Sequence, residues 1–409
     1  MTVGLAHDQR AVGRLVADDS VSGRLVFRKR QRSSANRRDQ NGENRASLVS
    51  LNTVCPYYTM FPLEFPLKRL ARAHKDEWVL DPFCGRGTTM FAARLRGLGC
   101  VGIDSNPIAA AIAAAKLTDP TPDAIVKRAG DIIASAGEPA GVPHGAFWRM
   151  CFNPRTLRDI CVLREHFIRS CSTDEDVALR ALMLGILHGP KHKTAPTYLS
   201  NQMPRTYATK PDAAIRFWKK QRLTRPPAVD VLDAITRRAR HTFASMPPAS
   251  GGEVHLGDAR CAHRLLSRER RFSWVITSPP YFGMRTYRPD QWLRNWFLGG
   301  EPRVDYAQEG QLAHHADKFA DELAAVWRAV ARRCHDGARL IVRFGYLPSI
   351  PVDVRAMLRS SLEKADAGWR ITRWVDAGSS SNGKRQSQQF GRCTEDAACE
   401  IDAYARLEA

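Results

Sequence analysis

The order of apolar runs in this 409-residue chain predicts a doubly wound α/β fold interrupted by a mostly α-helical insertion. A short apolar strand, Glu77–Leu80, runs into the glycine-bearing turn Asp81-Pro82-Phe83-Cys84-Gly85-Arg86-Gly87-Thr88 and then a helix. A second strand, Cys100–Asp104, ends on an acid and feeds another helix. The pattern then pauses for roughly 150 residues before the next strand, which marks an inserted segment.

Residues 1–50 precede the first of these elements. They contain the run Arg28-Lys29-Arg30-Gln31-Arg32-Ser33-Ser34, lack apolar periodicity and read as a basic mobile arm. Order begins near Cys55-Pro56-Tyr57-Tyr58. The helix after the glycine turn is expected over Thr88–Leu98 and the next over Asn106–Lys116. Pro107 is acceptable in that second helix because its first turn has no use for the missing amide. Within the insertion, Pro154–Ser170, Thr173–Leu187, Pro211–Gln221 and Val229–Ala244 carry helical apolar spacing, as in Leu157, Ile160, Cys161, Leu163 and Phe167. Gly189–Tyr207, holding Pro190, Pro196 and Pro204, reads as a long functional loop. The α/β pattern resumes with strands Glu253–Asp258 and Ser273–Ile276, helix Phe319–Arg333, strand Arg339–Phe344 and helix Pro351–Ala365. Strand Trp369–Val375, the polar loop Gly378–Arg385 and a last strand Glu400–Leu407 complete it, without internal repeats.

A composition of 44% hydrophobic and 25% charged residues excludes disorder throughout. The longest apolar stretch, around Pro107–Ala115, is well short of the about 18 residues a membrane span needs. Asp8 and Arg10 break up any secretory leader, so a cytoplasmic location without a membrane partner is expected. The 10 cysteines include no CxxC pair, which argues against a disulfide framework or zinc ribbon. His188 and His192 have metal-ligand spacing, but Gly189 and Pro190 between them break the helix that would present them, and no metal is expected. The net charge of +20 favours a polyanionic partner. It is concentrated in residues 21–46, with eight basic and two acidic residues, and in residues 145–250, with eighteen basic and eight acidic.

Two motifs carry the chemistry. In the first, Gly85 and Gly87 stand where a strand must turn sharply and bring its backbone against a ligand. The turn lacks both the Gly-Lys-Ser/Thr of a phosphate loop and the full GxGxxG of dinucleotide binders, which points to another adenosine-containing ligand. Asp104, ending the next strand, suits the two ribose hydroxyls, and Asp258 after the third strand suits an adenine amino group. The second motif is Thr277-Ser278-Pro279-Pro280-Tyr281. Consecutive prolines at the end of a buried strand forfeit two backbone donors and fix the local path, which stability alone rarely requires. The Ser278 hydroxyl and neighbouring carbonyls remain as acceptors and Tyr281 as an aromatic face, a set suited to the exocyclic amino group of a planar base.

With these motifs in this order, the chain resembles the S-adenosylmethionine-dependent amino-methyltransferases of DNA, over Cys55–Val126 and Glu253–Leu407. The resemblance implies a Rossmann-like methyltransferase sheet and S-adenosyl-L-methionine as cofactor. It implies that Thr59, Met60 and Phe61 contact the methionine part of the cofactor, that Asp81, Phe83, Gly85, Gly87 and Thr88 form its loop, and that Asp104 and Asn106 lie at the ribose. Asp258 and Ala259 would lie beside the adenine and Thr277 next to the cofactor, with Ser278, Pro279, Pro280 and Tyr281 catalytic. A serine in this motif preceded by threonine is typical of members that methylate cytosine N4, so that base is expected, with adenine N6 as the alternative. The chain has no Pro-Cys pair, which excludes the covalent route to cytosine C5.

The resemblance also implies base flipping and a double-stranded DNA partner. It leaves open a cognate restriction endonuclease and the oligomeric state. Position and charge assign target recognition to the insertion, with Lys191, Lys193, Tyr198, Asn201, Arg205 and Lys210 as candidate contacts and Asn382, Lys384 and Arg385 as a second DNA-facing loop. The expected division is therefore an arm at 1–50, a cofactor-binding part at 51–145, the insertion at 146–250 and a catalytic part at 251–409. Enzymes methylating guanine N2 in transfer RNA share similar motifs, but they carry a separate RNA-binding domain ahead of the core, for which about 50 residues are too few. A non-catalytic DNA-binding module is disfavoured by the intact Ser-Pro-Pro-Tyr.

Overall fold

The computed structural model describes residues 24–27, 50–57, 61–190, 196–203, 210–282, 288–304, 312, 315–346, 352–379 and 399–408. Its strands are β1 (Arg24–Phe27), β2 (Trp78–Asp81), β3 (Gly99–Asp104), β4 (Gly252–Leu256), β5 (Phe272–Thr277), β6 (Cys334–Tyr346), β7 (Trp369–Ser379) and β8 (Cys399–Leu407). Among the described residues these form one eight-stranded sheet in the order β1-β4-β3-β2-β5-β6-β8-β7. The central strands β4, β3, β2, β5 and β6 are parallel, while β8 inserts antiparallel between β6 and β7. The chain winds outward from β2 through β3 to β4, then returns to start the other half at β5 beside β2. That reversal is the switch point at which doubly wound sheets open a crevice for ligands.

The helices are α1 (Glu64–Arg69), α2 (Thr88–Leu95), α3 (Pro107–Ala115), α4 (Pro122–Ser135), α5 (Ala146–Cys151), α6 (Pro154–Arg169) and α7 (Asp174–Ile186). They continue with α8 (Pro211–Lys220), α9 (Val231–Phe243), α10 (Ala262–Leu265), α11 (Trp292–Phe297), α12 (Ala316–Ala331) and α13 (Val354–Ala365). Local sequence starts many of them. Asn106, Thr121, Asn153, Thr173, Asp230 and Asp353 each cap a helix by accepting an amide of its first turn, an interaction that contributes about 1 kcal/mol. Proline opens α3, α4, α6 and α8.

Alternation along the strands divides the interior in two, because successive side chains point to opposite faces of a sheet. Val79, Cys100, Trp274, Ile276 and Ile341 join one cluster, and Leu80, Val101, Val275, Leu340 and Val342 the other. Helices α10, α12 and α13 cover the second face. The first is covered by α1 to α9 and α11, so the residues read as an insertion share a core with the sheet instead of forming a separate body. Phe147 of α5 packs on Trp218 of α8 with ring centroids 5.5 Å apart and on Trp292 of α11 at 4.8 Å.

Other expectations change with the structure. Within the stretch read as a structureless arm, Arg24–Phe27 forms an edge strand antiparallel to β4. Part of the long loop is not a surface loop: Leu199, Ser200, Asn201 and Met203 are buried, and the amides of Leu199, Asn201 and Met203 donate to the carbonyls of Ile186, Cys151 and Gly189. Two apolar residues and three satisfied amides are enough to draw this segment inside. Helix α4 is an addition to the expected elements, although Ile125, Ala129 and Ile132 have the spacing of one buried helical face behind the Thr121 cap.

Candidate active site

The carboxyl ends of β2, β3, β4 and β5 meet at one edge of the sheet, with Asp81, Asp104, Asp258 and Thr277 at or just beyond the strand tips. Asp81 and Thr277 are almost wholly buried, and the Thr277 hydroxyl donates to Asp81 Oδ1 at 2.7 Å. This bond ties the glycine turn to the strand that carries Ser278-Pro279-Pro280-Tyr281. Thr89 Oγ1 makes a second tie by donating to the Ile276 carbonyl at 3.2 Å. Burial pushes the Asp81 carboxyl up to about 6, against the hydrogen bonds it accepts from Thr277 and the Phe83 amide.

Asp104 organises the turn from the neighbouring strand. Its Oδ2 accepts the Gly85 amide at 2.8 Å and its Oδ1 the Asn106 amide at 2.8 Å. Gly85 adopts φ +50°, and among the described residues nothing lies within 4 Å of where its side chain would begin. Gly87 adopts φ +75°, and any Cβ there would meet Ala113 at 2.9 Å. Thr88 is buried and its hydroxyl has no partner among the described residues. Phe83 is half-buried against Trp327, and Phe61 is buried with its ring 5.1 Å from Phe65. Asn106 caps α3 and donates to the Tyr57 hydroxyl at 2.9 Å. Asp258 has both oxygens on the Arg260 guanidinium, with Oδ2 at 2.5 Å, and Ala259 is buried at the start of the turn that follows.

Ser278 is half-buried, Pro279 buried and Pro280 exposed. The Tyr281 ring lies over Gly345, where a Cβ would stand 2.2 Å from it, and meets Phe344 edge-on at 6.2 Å. Its hydroxyl donates to Glu400 Oε1 at 2.6 Å. Burial first, then the Glu400 charge, raises the phenol's pKa, so it remains a donor. Behind Glu400 runs a chain of charge. Arg343 reaches Glu400 at 3.7 Å and engages Asp402 at 2.8 Å, and Asp402 binds Arg69 at 2.9 Å. The guanidinium carbons of Arg69 and Arg343 lie 4.4 and 3.9 Å from the Phe65 ring centroid. The wall of the Ser-Pro-Pro-Tyr motif and the Phe61–Phe65 segment are thus joined by one network. Sequence reading missed Glu400, Arg343, Asp402 and Arg69. The available signal was Glu400 and Asp402 two residues apart in a strand whose alternate positions, Ile401, Ala403 and Ala405, are apolar.

Buried cations gather beneath the glycine turn. Lys116 is wholly buried and donates to Asn52 Oδ1 at 2.6 Å, while Arg86, 5% exposed, donates to the Asn52 carbonyl. Arg294, 1% exposed, donates to the Pro56 carbonyl at 2.7 Å. Burial, followed by the Arg86 charge, holds the Lys116 amine well below its ordinary value, and burial lowers Arg86 to about 10. Residues 52–56 are therefore fixed by cations on carbonyl oxygens just ahead of the segment expected to hold the cofactor.

Of the expected nucleic-acid contacts, Asn201 is corrected. It is 7% exposed, its amide donates to the carbonyls of Met150 and Thr224 at 3.1 and 2.8 Å, and its Oδ1 accepts from Gln202, which makes it a brace inside the helical layer. Tyr198 is half-buried with its ring over Gly189, and Lys210 is half-buried at the start of α8. Thr59, Met60, Lys191, Lys193, Arg205, Asn382, Lys384 and Arg385 lie outside the described residues.

Residues 26–115 match a DNA methylase family of the N6 and N4 type. That span runs from β1 to α3 and contains the glycine turn and Asp104, but not the Ser278–Tyr281 motif. No curated protein matches the chain by sequence. Among solved structures, an rRNA methyltransferase, aviRa, from Streptomyces viridochromogenes is similar at 15% identity and a TM-score of 0.35, over 90% of this chain and 94% of that one. An rRNA methylase from Streptococcus thermophilus gives 7% identity and 0.33, over 86% and 100%. A SAM-dependent methyltransferase from Methanosarcina mazei gives 10% identity and 0.30, over 85% and 98%. Strand order, not these distant likenesses, establishes the fold. Among the described residues no helix is long and apolar enough to cross a membrane.

Proposed function

We propose that this protein transfers a methyl group from S-adenosylmethionine to an exocyclic amino nitrogen of double-stranded DNA, with cytosine N4 as the target. The observation that carries this reading is the Thr277–Asp81 hydrogen bond at 2.7 Å, which fastens the glycine turn and the Ser-Pro-Pro-Tyr motif side by side at the switch point. The match of residues 26–115 to a DNA methylase family supports DNA as the substrate.

The residues present fit the cofactor. Gly85 offers backbone with no described atom within 4 Å of where a side chain would begin, Thr88 a buried hydroxyl without a described partner, and Asp104 a carboxylate at the tip of β3 that already holds the turn. When bound, S-adenosylmethionine supplies a methyl group on a positively charged sulfur. The chain's own work is positioning and electrostatics. A conjugated base amine is a poor nucleophile. The Ser278 hydroxyl and the neighbouring carbonyls accept its hydrogens and draw the nitrogen towards a tetrahedral form with a localised lone pair. Tyr281, fixed by Glu400 and Gly345, provides the rigid wall against which the base packs. The base must leave the duplex to get there, at a cost of a few kcal/mol, which contacts to the DNA backbone offset.

Ser278→Ala and Asp104→Ala separate the two roles. Methyl transfer by Ser278→Ala is expected to fall at least a hundredfold while S-adenosylmethionine binding, measured by calorimetry, stays at the wild-type level. Asp104→Ala is expected to weaken cofactor binding first. Near-wild-type transfer by Ser278→Ala contradicts the catalytic assignment.

A further inference from the structure

We infer that the outer face of α8 and the turn after it form the surface that grips the phosphate backbone of the DNA duplex, an inference that rests on the function proposed above. Ala214 and Trp218, four residues apart, bury one side of α8. Arg216, Lys219 and Lys220 are exposed on the other, and Arg222 and Arg225 continue the exposed basic run. Residues 216–225 hold these five cations and no acid. Whereas Arg158 and Arg237, in the same layer, are paired with Glu138 and Asp233, these five make no ion pair with the described residues. Five like charges held side by side repel one another, which offers the fold nothing and suits a polyanion.

Location supports the same partner. Trp218 Nε1 donates to the Gln202 carbonyl at 2.7 Å and its ring packs on Phe147, which packs in turn on Trp292. Trp292 opens α11, the first α-helix after the Ser-Pro-Pro-Tyr motif among the described residues, and the charge of Lys210, at the foot of α8, acts on Asp290 just ahead of it. The basic face is therefore rigidly joined, through buried aromatic rings, to the chain that leaves the catalytic motif. A flipped base entering the site requires its flanking phosphates to be held at a fixed place relative to it. The helix reads no sequence in this role, because side chains on phosphates position the duplex without distinguishing bases.

The test is a variant with Arg216, Lys219, Lys220, Arg222 and Arg225 all changed to Gln, compared with Arg332→Gln/Arg359→Gln, exposed cations of the opposite helical layer. Binding of a 30-base-pair random-sequence duplex is measured over a series of KCl concentrations. The wild type is expected to lose affinity steeply with salt. The fivefold variant is expected to show a slope of log K against log salt shallower by about 0.9 for each phosphate that is no longer neutralised, and at least tenfold weaker binding at low salt. Its cofactor affinity and melting temperature are expected to match the wild type, and the control pair to change nothing. Unchanged slope and affinity in the fivefold variant overturn the inference, as does a loss of cofactor binding or melting temperature equal to its loss of DNA binding. A wild type that binds DNA with the predicted slope but methylates no DNA base refutes the proposed function and leaves this surface standing.

Discussion

Asp81 sits where the two motifs meet, and its ionisation is set by its surroundings. Burial and the nearby Asp104 charge raise its carboxyl from 3.8 to about 6 in spite of the hydrogen bonds from Thr277 and the Phe83 amide. A raised folded value means that the native state holds this proton more tightly than the unfolded chain. The associated stability is complete below 3.8 and is lost as pH rises through about 6. Asp81→Asn keeps a carbonyl acceptor for Thr277 and has nothing to ionise. Between these limits the variant is expected to lose less stability than the wild type, by up to about 3 kcal/mol, as read from denaturation midpoints across pH. Parallel pH profiles for the two proteins contradict the assignment. The positions of Asp81, Asp104 and Ser278-Pro279-Pro280-Tyr281 at or just past strand ends were legible, because each sits in a motif whose spacing demands a strand tip or a sharp turn. Residue identity did not reveal that Asn201 braces the interior or that Asp258 is engaged by Arg260, since a polar side chain in a sequence carries no mark of the partner that folding brings to it.

Single strands and helices place these residues, and β8 shows how. It alternates Ile401, Ala403 and Ala405 into one core with Glu400 and Asp402 on the other face, where they take up Tyr281, Arg343 and Arg69. Glu400→Ala removes the acceptor of the Tyr281 phenol, whereas Glu400→Gln retains one. The first is expected to lower kcat at least tenfold, equivalent to about 1.4 kcal/mol of transition-state stabilisation, and the second to stay within about threefold, with cofactor Kd unchanged in both. Equal losses in the two variants would show that the carboxylate's charge, not its grip on the ring, matters. Most of these elements were legible as periodic apolar runs. Besides α4, the exceptions include α1, α5, α10 and α11, of four to six residues each, which are too short for helical periodicity to emerge and depend on tertiary packing.

At the scale of the molecule, the long interval between β3 and β4 does not hang a separate domain on the sheet. Its helices share a hydrophobic cluster with Val79, Cys100, Val254, Trp274 and Ile341, so they are the outer layer of that face. Replacing residues 146–250 by a short linker is expected to yield a chain without a cooperative thermal transition, because it removes α5 to α9, five of the ten helices that cover this face. A cooperative transition in the shortened chain would show that the sheet and its remaining helices fold without this layer. Composition could not decide this, since a basic helical segment looks alike whether it caps a sheet or stands apart. What the charge did indicate was a polyanionic partner, and the five cations on and after α8 give that charge a place on the surface.

The most direct test of the whole reading is to incubate the purified protein with labelled S-adenosylmethionine and, in parallel, duplex DNA and bulk RNA, then to digest each to nucleosides for mass spectrometry. N4-methylcytosine in the DNA is the predicted product. N6-methyladenine there would keep the enzyme and overturn the base, and a methylated nucleoside found only in the RNA would contradict the proposed function.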